Sequence, residues 1–288
     1  MARLLLGAPV REEIKKKLLK RLESLTFKPY LAIVQVGDRE DSNIYIKNKI
    51  KFGEGLGVGV SLKKFDEGIG EDDLIKEVKK IAEDKNINGI IVQLPLPQKI
   101  DSNKVVNSIP KNKDADGLSS VSDLEDANII TPATARAVVS IFDFYNIEIK
   151  NKKIAVLGRS RLAGGPIAKS LETLGAEVSI CHKETENISA ICKESDIIIS
   201  ATGQIGLVDK SFVKQGQTVI DVGINKITPP APLTLRGEPE KPKLVGDVNF
   251  AEVEPIVDSI TPVPGGVGPL TVACLFENLL DLIETKVW

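Results

Sequence analysis

The chain has 288 residues, enough for two domains that each bury a core. Its 38 basic and 40 acidic residues leave a formal charge of −2, so no basic excess marks nucleic acid as a partner. The single histidine, His182, excludes two-histidine metal sites and is the only candidate base for a catalytic triad. The three cysteines form no CxxC pair and suit a reducing cytosol rather than a disulfide framework. The apolar run at 4–6 soon meets Arg11-Glu12-Glu13 and is too short for a signal peptide. No stretch reaches the roughly 18 apolar residues that span a bilayer, so the chain is expected in the cytoplasm with no membrane partner.

Apolar residues at helical spacing over 10–25 predict an amphipathic helix. Residues 30–36 (YLAIVQV) read as a buried strand ending at Gly37. Residues 42–56 read as a helix capped by Asp41 or Ser42, and 58–65 as a second strand. Over 71–84 the acidic start Glu71-Asp72-Asp73 suits the positive end of a helix dipole. Residues 89–94 (GIIVQL) form a third strand, stopped by Pro95 and Pro97. This alternation predicts a parallel sheet with helices on its faces.

Residues 101–126 are polar and turn-rich. Thr131-Pro132 opens a helix to about Tyr145, with threonine as N-cap and proline at the first helical position. The polar stretch 146–153 reads as a domain boundary. A second alternation follows: strand 154–157, glycine-rich turn 158–166, helix 167–174, then strands at 177–181, 197–200 and 218–222. Five prolines over 229–243 mark an exposed excursion. Residues 262–269 (PVPGGVGP) form a glycine–proline loop, and 271–283 a last amphipathic helix. The predicted class is α/β, with two parallel-sheet domains.

The second alternation carries the clearest chemistry. A strand runs into Gly158-Arg159-Ser160 and Gly164-Gly165-Pro166, and a helix follows. In that setting a pyrophosphate rests on a helix N-terminus, although the glycines do not match GxGxxG and a purely structural turn has the same look. The next strand ends in Cys181-His182-Lys183, with no carboxylate before Glu184. A basic end near Arg159 fits a ribose 2′-phosphate better than a free 2′-hydroxyl, hence NADP rather than NAD. Tyr45 and Lys49 are four apart and share one helix face. A desolvated lysine there can act as a base, but YxxxK alone equally describes a solvated face. The same spacing occurs in short-chain dehydrogenases, where the nucleotide fingerprint precedes it, the reverse of the order here. Gln93 leaves the C-terminal end of a strand, where ligands of open α/β sheets gather. Asp116 lies in turn sequence, Asp114-Ala115-Asp116-Gly117.

Taken in order, these motifs resemble one family, the bifunctional methylenetetrahydrofolate dehydrogenase/methenyltetrahydrofolate cyclohydrolases. The anchors are Ser42-Asn43-Ile44-Tyr45 through Lys49, Val92-Gln93-Leu94-Pro95-Leu96-Pro97, Lys113-Asp114-Ala115-Asp116-Gly117-Leu118, Thr131-Pro132 and Gly158-Arg159-Ser160 with Gly164 and Pro166. Asp221-Val222-Gly223-Ile224-Asn225, Gly246-Asp247-Val248 and the run 261–271 complete them. The resemblance implies a catalytic, folate-binding domain over 1–145, rejoined by 270–288, and a Rossmann-type NAD(P) domain over 146–269. It implies NADP-dependent oxidation of methylenetetrahydrofolate, then hydrolysis of methenyltetrahydrofolate to formyltetrahydrofolate, in a cleft between the domains of a homodimer.

Carried residue by residue, the resemblance makes Lys49 the central catalytic group, with Gln93 tuning its charge, Tyr45 packing on the folate and Asp116 binding the pterin. Gly265 and Gly266 would line the same pocket. Gly158, Arg159, Ser160, Lys183, Thr202, Gly203 and Ile224 would hold the cofactor, and His182 would be structural or cofactor-side. No metal is implied. Ala133, Ala135 and Ala137 stand in a segment where the family usually has Cys, Pro and Gly, Ala163 stands for valine, and Lys183 for a small hydroxyl residue or arginine. Two other readings are a shikimate-dehydrogenase-like enzyme, which would not need Tyr45, Gln93 and Asp116 to converge, and a non-enzymatic nucleotide-binding protein.

Overall fold

Two sheets of parallel strands organise the chain, and each collects its own helices. The structure, a computed structural model, describes residues 1–119, 130–227 and 243–285. In chain order the elements begin β1 (Arg3–Leu4), α1 (Gly7–Glu23), β2 (Tyr30–Val36), α2 (Glu40–Glu54) and β3 (Gly59–Phe65). Then come α3 (Glu71–Glu83), β4 (Gly89–Val92), α4 (Ser102–Asn107) and α5 (Ala133–Tyr145). Next are β5 (Lys153–Leu157), α6 (Gly164–Thr173), β6 (Glu177–Cys181), α7 (Ile188–Glu194), β7 (Ile197–Ser200) and β8 (Thr218–Asp221). Last are β9 (Asn225–Ile227), β10 (Lys243–Val245), α8 (Phe250–Val253), β11 (Ser259–Ile260) and α9 (Gly268–Glu284).

The chain divides into two units, Arg11–Ala133 with Thr271–Trp288, and Met1–Val10 with Thr134–Leu270. In the first, the sheet order is β3-β2-β4, all parallel. Leu74, Val78 and Ile81 repeat at helical spacing on α3, and all three are buried with Val34, Val36, Ile90 and Val92. Burial of each such side chain stabilises by about 1.5–3 kcal/mol, which is why this face of α3 lies on the sheet. The polar stretch after residue 101 holds a short helix, α4, that its composition hides. Asp101 caps it by accepting from the Asn103 N–H at 2.8 Å.

The expected cap of α2 is absent. Arg39 occupies the cap position, while Asp41 sits inside the first turn and pairs with Arg39 at 2.8 Å.

Helix α9 belongs to this first unit from Thr271 onward, as the returning C-terminal helix was expected to. Arg21 on α1 reaches it with two hydrogen bonds to Glu284, at 2.9 and 2.8 Å, and one to Asp281 at 2.7 Å. Burial pulls the Arg21 pKa down, but the two carboxylates outweigh it and the net shift is upward. Asn278 is fully buried and donates to the carbonyls of Ala115 and Thr131, both at 3.0 Å. Asn278→Ala removes the donor to both carbonyls, so urea denaturation should show a loss of about 2 kcal/mol or more. An unchanged midpoint would mean the two carbonyls find other donors.

The second unit holds six strands in the order β1-β11-β8-β7-β5-β6. Every pair in this sheet is parallel. Its core includes Ala155, Leu157, Ile198, Val219 and Ile260 together with Cys181 and Cys192. The three cysteines are all free and buried. Helix α6 starts at Gly164, three residues before the predicted start, because Gly164, Gly165 and Pro166 form its first turn. The strands β9 and β10 pair antiparallel. The proline-rich excursion predicted between them, and part of the turn-rich stretch near 120, lie outside the described residues. Among the described residues no helix is long and apolar enough to cross a membrane.

Candidate functional site

The first unit assembles one set of the sequence-predicted residues. Its sheet order puts β3 and β4 on opposite sides of β2, so the connections diverge at the C-terminal ends of β2 and β4. Ligands of open parallel sheets bind at such a divergence. Gln93 is the first residue beyond β4, and its N–H still donates to the Val34 carbonyl at 2.8 Å. Its side-chain amide is oriented by a 2.8 Å hydrogen bond from Nε2 to the Leu94 carbonyl, which turns Oε1 outward as an acceptor. Lys49 Nζ donates to that Oε1 at 3.0 Å.

Burial lowers the Lys49 pKa, opposed by the negative charge of Asp116. Burial likewise raises the Asp116 pKa, opposed by Lys49. The pair is therefore poised with both groups closer to neutral than they would be in water. Tyr45, one helical turn before Lys49, is exposed, and its phenol is pushed up by partial burial and then by Asp41.

Asp116 is held by a residue that sequence reasoning gave no role. Asp114 is buried and accepts N–H bonds from Asp116 and Gly117, each at 3.1 Å, and from Ser119 at 2.6 Å. Gly117 follows with φ +71°, a conformation that favours glycine, and a Cβ there would meet the Ile130 carbonyl at 2.7 Å. The signal for Asp114 was its place at the head of an Asp-Ala-Asp-Gly turn, since such a carboxylate caps backbone N–H groups two and three residues on. Ala133, Ala135 and Ala137 are all buried along α5.

The second unit holds the cofactor-side set. Here too the connections diverge, with β6 on one side of β5 and β7 on the other. Gly158 follows β5 with φ +101°, and a Cβ on it would strike the Ala201 carbonyl after β7. A Cβ on Gly164 would strike the Gly158 carbonyl in turn. Both glycines are thus required by backbone against backbone. These residues fit a dinucleotide pyrophosphate. Arg159 and Ser160 are exposed in the turn, as are Lys183, Gly203 and Ile224 elsewhere, and Thr202 is half-buried.

What positions Thr202 and Gly203 was not read from the sequence. Asp247 is fully buried, and its Oδ2 accepts from the Thr202 N–H at 2.7 Å, the Thr202 hydroxyl at 3.0 Å, the Gly203 N–H at 3.1 Å and the Ser200 hydroxyl at 3.1 Å. Its Oδ1 accepts from Asn225 at 3.1 Å. Asp221 lies against it and accepts from the N–H groups of Gly223, Asp247 and Val248 at 2.9, 3.0 and 2.9 Å. Burial pushes the Asp221 pKa up to about 6, against those N–H donors and with a further push from Asp247. The signal available was a buried-strand aspartate followed by Gly223, and a second aspartate preceded by Gly246. A Cβ on either glycine would hit one of the two carboxylates.

Gly265 and Gly266 lie in the second unit, whereas Tyr45, Lys49, Gln93 and Asp116 lie in the first. Gly265 has φ +116°, and its carbonyl accepts the Gly7 N–H at 2.8 Å. His182 stands at the end of β6 within 3.5 Å of Arg159. Among the described residues no group of three or more His, Cys, Asp or Glu side chains is placed to hold a metal ion.

A parallel sheet with a glycine turn at a helix start, and a separate parallel-sheet unit bearing a desolvated lysine, define a two-domain α/β protein of the dinucleotide-dependent type. Comparison narrows the class. The NAD(P)-binding domain of tetrahydrofolate dehydrogenase/cyclohydrolase matches residues 132–287, and its catalytic domain matches residues 5–116. The chain belongs to this tetrahydrofolate dehydrogenase/cyclohydrolase family. It is 36% identical over 282 residues to the bifunctional protein FolD of Acholeplasma laidlawii, covering 97% of each chain. The bifunctional methylenetetrahydrofolate dehydrogenase/cyclohydrolase of Campylobacter jejuni superposes with a TM-score of 0.89 at 33% identity, covering 100% of both chains. The Trypanosoma brucei enzyme, solved with NADP and an inhibitor, gives 0.88 at 33% identity, covering 99% of this chain and 98% of that one.

Proposed function

We propose that this chain oxidises 5,10-methylenetetrahydrofolate to 5,10-methenyltetrahydrofolate with NADP and hydrolyses the product to 10-formyltetrahydrofolate. The observation that carries the reading is Lys49, desolvated, hydrogen-bonded to Gln93 and sensing the charge of Asp116. A shikimate-dehydrogenase-like enzyme has no use for that convergence. NADP, when bound, supplies the hydride acceptor.

The chain's own groups do the rest. Lys49, held by Gln93, activates the water that adds to the methenyl carbon. Asp116 accepts from the donor-rich pterin edge, Tyr45 packs on the flat part of the folate, and Gly265 and Gly266 give the substrate close backbone approach. Gly158, Arg159, Ser160, Lys183, Thr202, Gly203 and Ile224 bind the dinucleotide. In this reading the nucleotide roles fall on the second unit, and the folate roles on the first together with Gly265 and Gly266 of the second. The protein acts as a cytoplasmic homodimer in this reading, and three free, buried cysteines accord with a reducing compartment.

A spectrophotometric assay tests the proposal. With methylenetetrahydrofolate, methenyltetrahydrofolate absorbance should rise with NADP and more slowly with NAD, then decay as the ring opens. Tight NADP binding with no turnover of any reduced folate would overturn it.

A further inference from the structure

The turn after β6 gathers charge around one carboxylate. Arg159 Nη2 donates to Glu184 Oε2 at 3.3 Å, and His182 Nδ1 lies 3.3 Å from the same oxygen. Lys183 Nζ lies 3.9 Å from the other oxygen. Arg159 Nη1 is 3.5 Å from His182 Nε2, so the arginine fork spans both partners. The turn itself is pinned, because the His182 N–H donates to the Thr185 hydroxyl at 3.0 Å and the Thr185 N–H returns to the His182 carbonyl at 2.8 Å.

Arg159 and Glu184 are each 59% exposed at the side chain, so burial does not force them together. Such a pair is worth little to stability. Its consequence is local: Arg159, which stands beside the end of β6, already has an anion.

We propose that Glu184 sets this protein's selectivity between nucleotides with and without a ribose 2′-phosphate, by occupying Arg159 and repelling a second anion there. The inference rests on the reading that the Gly158–Ser160 turn holds the dinucleotide. A 2′-phosphate carries roughly two negative charges and three acceptor oxygens and would compete with Glu184 for the same fork. A 2′-hydroxyl carries no charge and leaves the Arg159–Glu184 pair in place. Glu184 therefore costs only the phosphorylated ligand.

The test is isothermal titration of 2′,5′-ADP and of 5′-ADP into the whole protein, for wild type, Glu184→Gln and Arg159→Ala. Glu184→Gln should bind 2′,5′-ADP about three- to tenfold more tightly, with 5′-ADP changed less than about twofold, since one exposed pair and one short-range repulsion are removed. The gain should shrink at high salt. An unchanged 2′,5′-ADP affinity, or an equal change for both ligands, overturns the role of Glu184. Arg159→Ala separates this from the underlying reading. It should bind 2′,5′-ADP no better than 5′-ADP, and if it binds 2′,5′-ADP as wild type does, the nucleotide turn itself is misassigned.

Discussion

Replacing Lys49 by alanine is expected to slow hydrolysis of methenyltetrahydrofolate by at least about 100-fold, the usual range for loss of a positioned general base. The ammonium meets Gln93 and the field of Asp116, and burial works against its charge. Thermal stability should therefore change little. The sign of the pH dependence follows from burial. A lowered pKa makes the free amine available at lower pH than for an ordinary lysine, so wild-type hydrolysis should rise with pH and level off below the usual lysine titration. Gln93→Ala removes the acceptor at 3.0 Å and should move that inflection while leaving some activity. Stopped-flow decay of methenyl absorbance across pH reads both. A Lys49→Ala protein that hydrolyses at the wild-type rate would sink the assigned mechanism.

Asp247→Asn is expected to cost about 2–4 kcal/mol in urea denaturation and to weaken NADP binding in parallel. The substitution keeps the shape of the side chain. Among the described residues Oδ2 accepts four donors and Oδ1 accepts one, so whichever oxygen becomes the amide nitrogen then faces a donor. At least one buried N–H or hydroxyl is left unsatisfied, and the Thr202–Gly203 backbone loses its anchor. Removing the charge should also let Asp221 titrate below about 6, since Asp247 is one of the influences that push it there. Wild-type stability together with unchanged NADP affinity would show that the carboxylate does not hold the loop.

Much of the fold is written in short-range pattern. The strands at Tyr30–Val36, Glu177–Cys181 and Ile197–Ser200 coincide with their predicted spans because the first and last are largely apolar runs closed by a turn or a polar residue and the middle one alternates polar with apolar residues. The misses share a cause. β1 and β11 are two residues each and exist only because β1 pairs with β11 and β11 with β8. No pattern of two residues marks a strand. The helix α4 hides in a polar segment because its buried residues, Val105 and Val106, are too few to set a period.

The candidate site divides the same way. The four-residue step from Tyr45 to Lys49 on one helix face and the glycine turn at a helix start were legible, being local geometry. Spacing alone left Lys49 either solvated or desolvated. That choice is made by burial in the folded unit, which sets Lys49 against Gln93, 44 residues away, while the charge of Asp116 opposes the shift. The anchoring of Thr202 by Asp247 spans 45 residues, and the Arg159–Glu184 contact spans 25.

Composition and spacing by themselves determined the class, the parallel sheets and the absence of histidine-based acid–base machinery outside His182, while the order of the two functional halves came from the family resemblance. Only the tertiary structure decided which groups are desolvated and which carboxylate faces which donor. The reason is physical. Secondary structure follows from hydrophobic period and turn chemistry within a few residues, whereas a lysine pKa or an arginine's choice of partner depends on what distant strands and helices bring within about 4 Å.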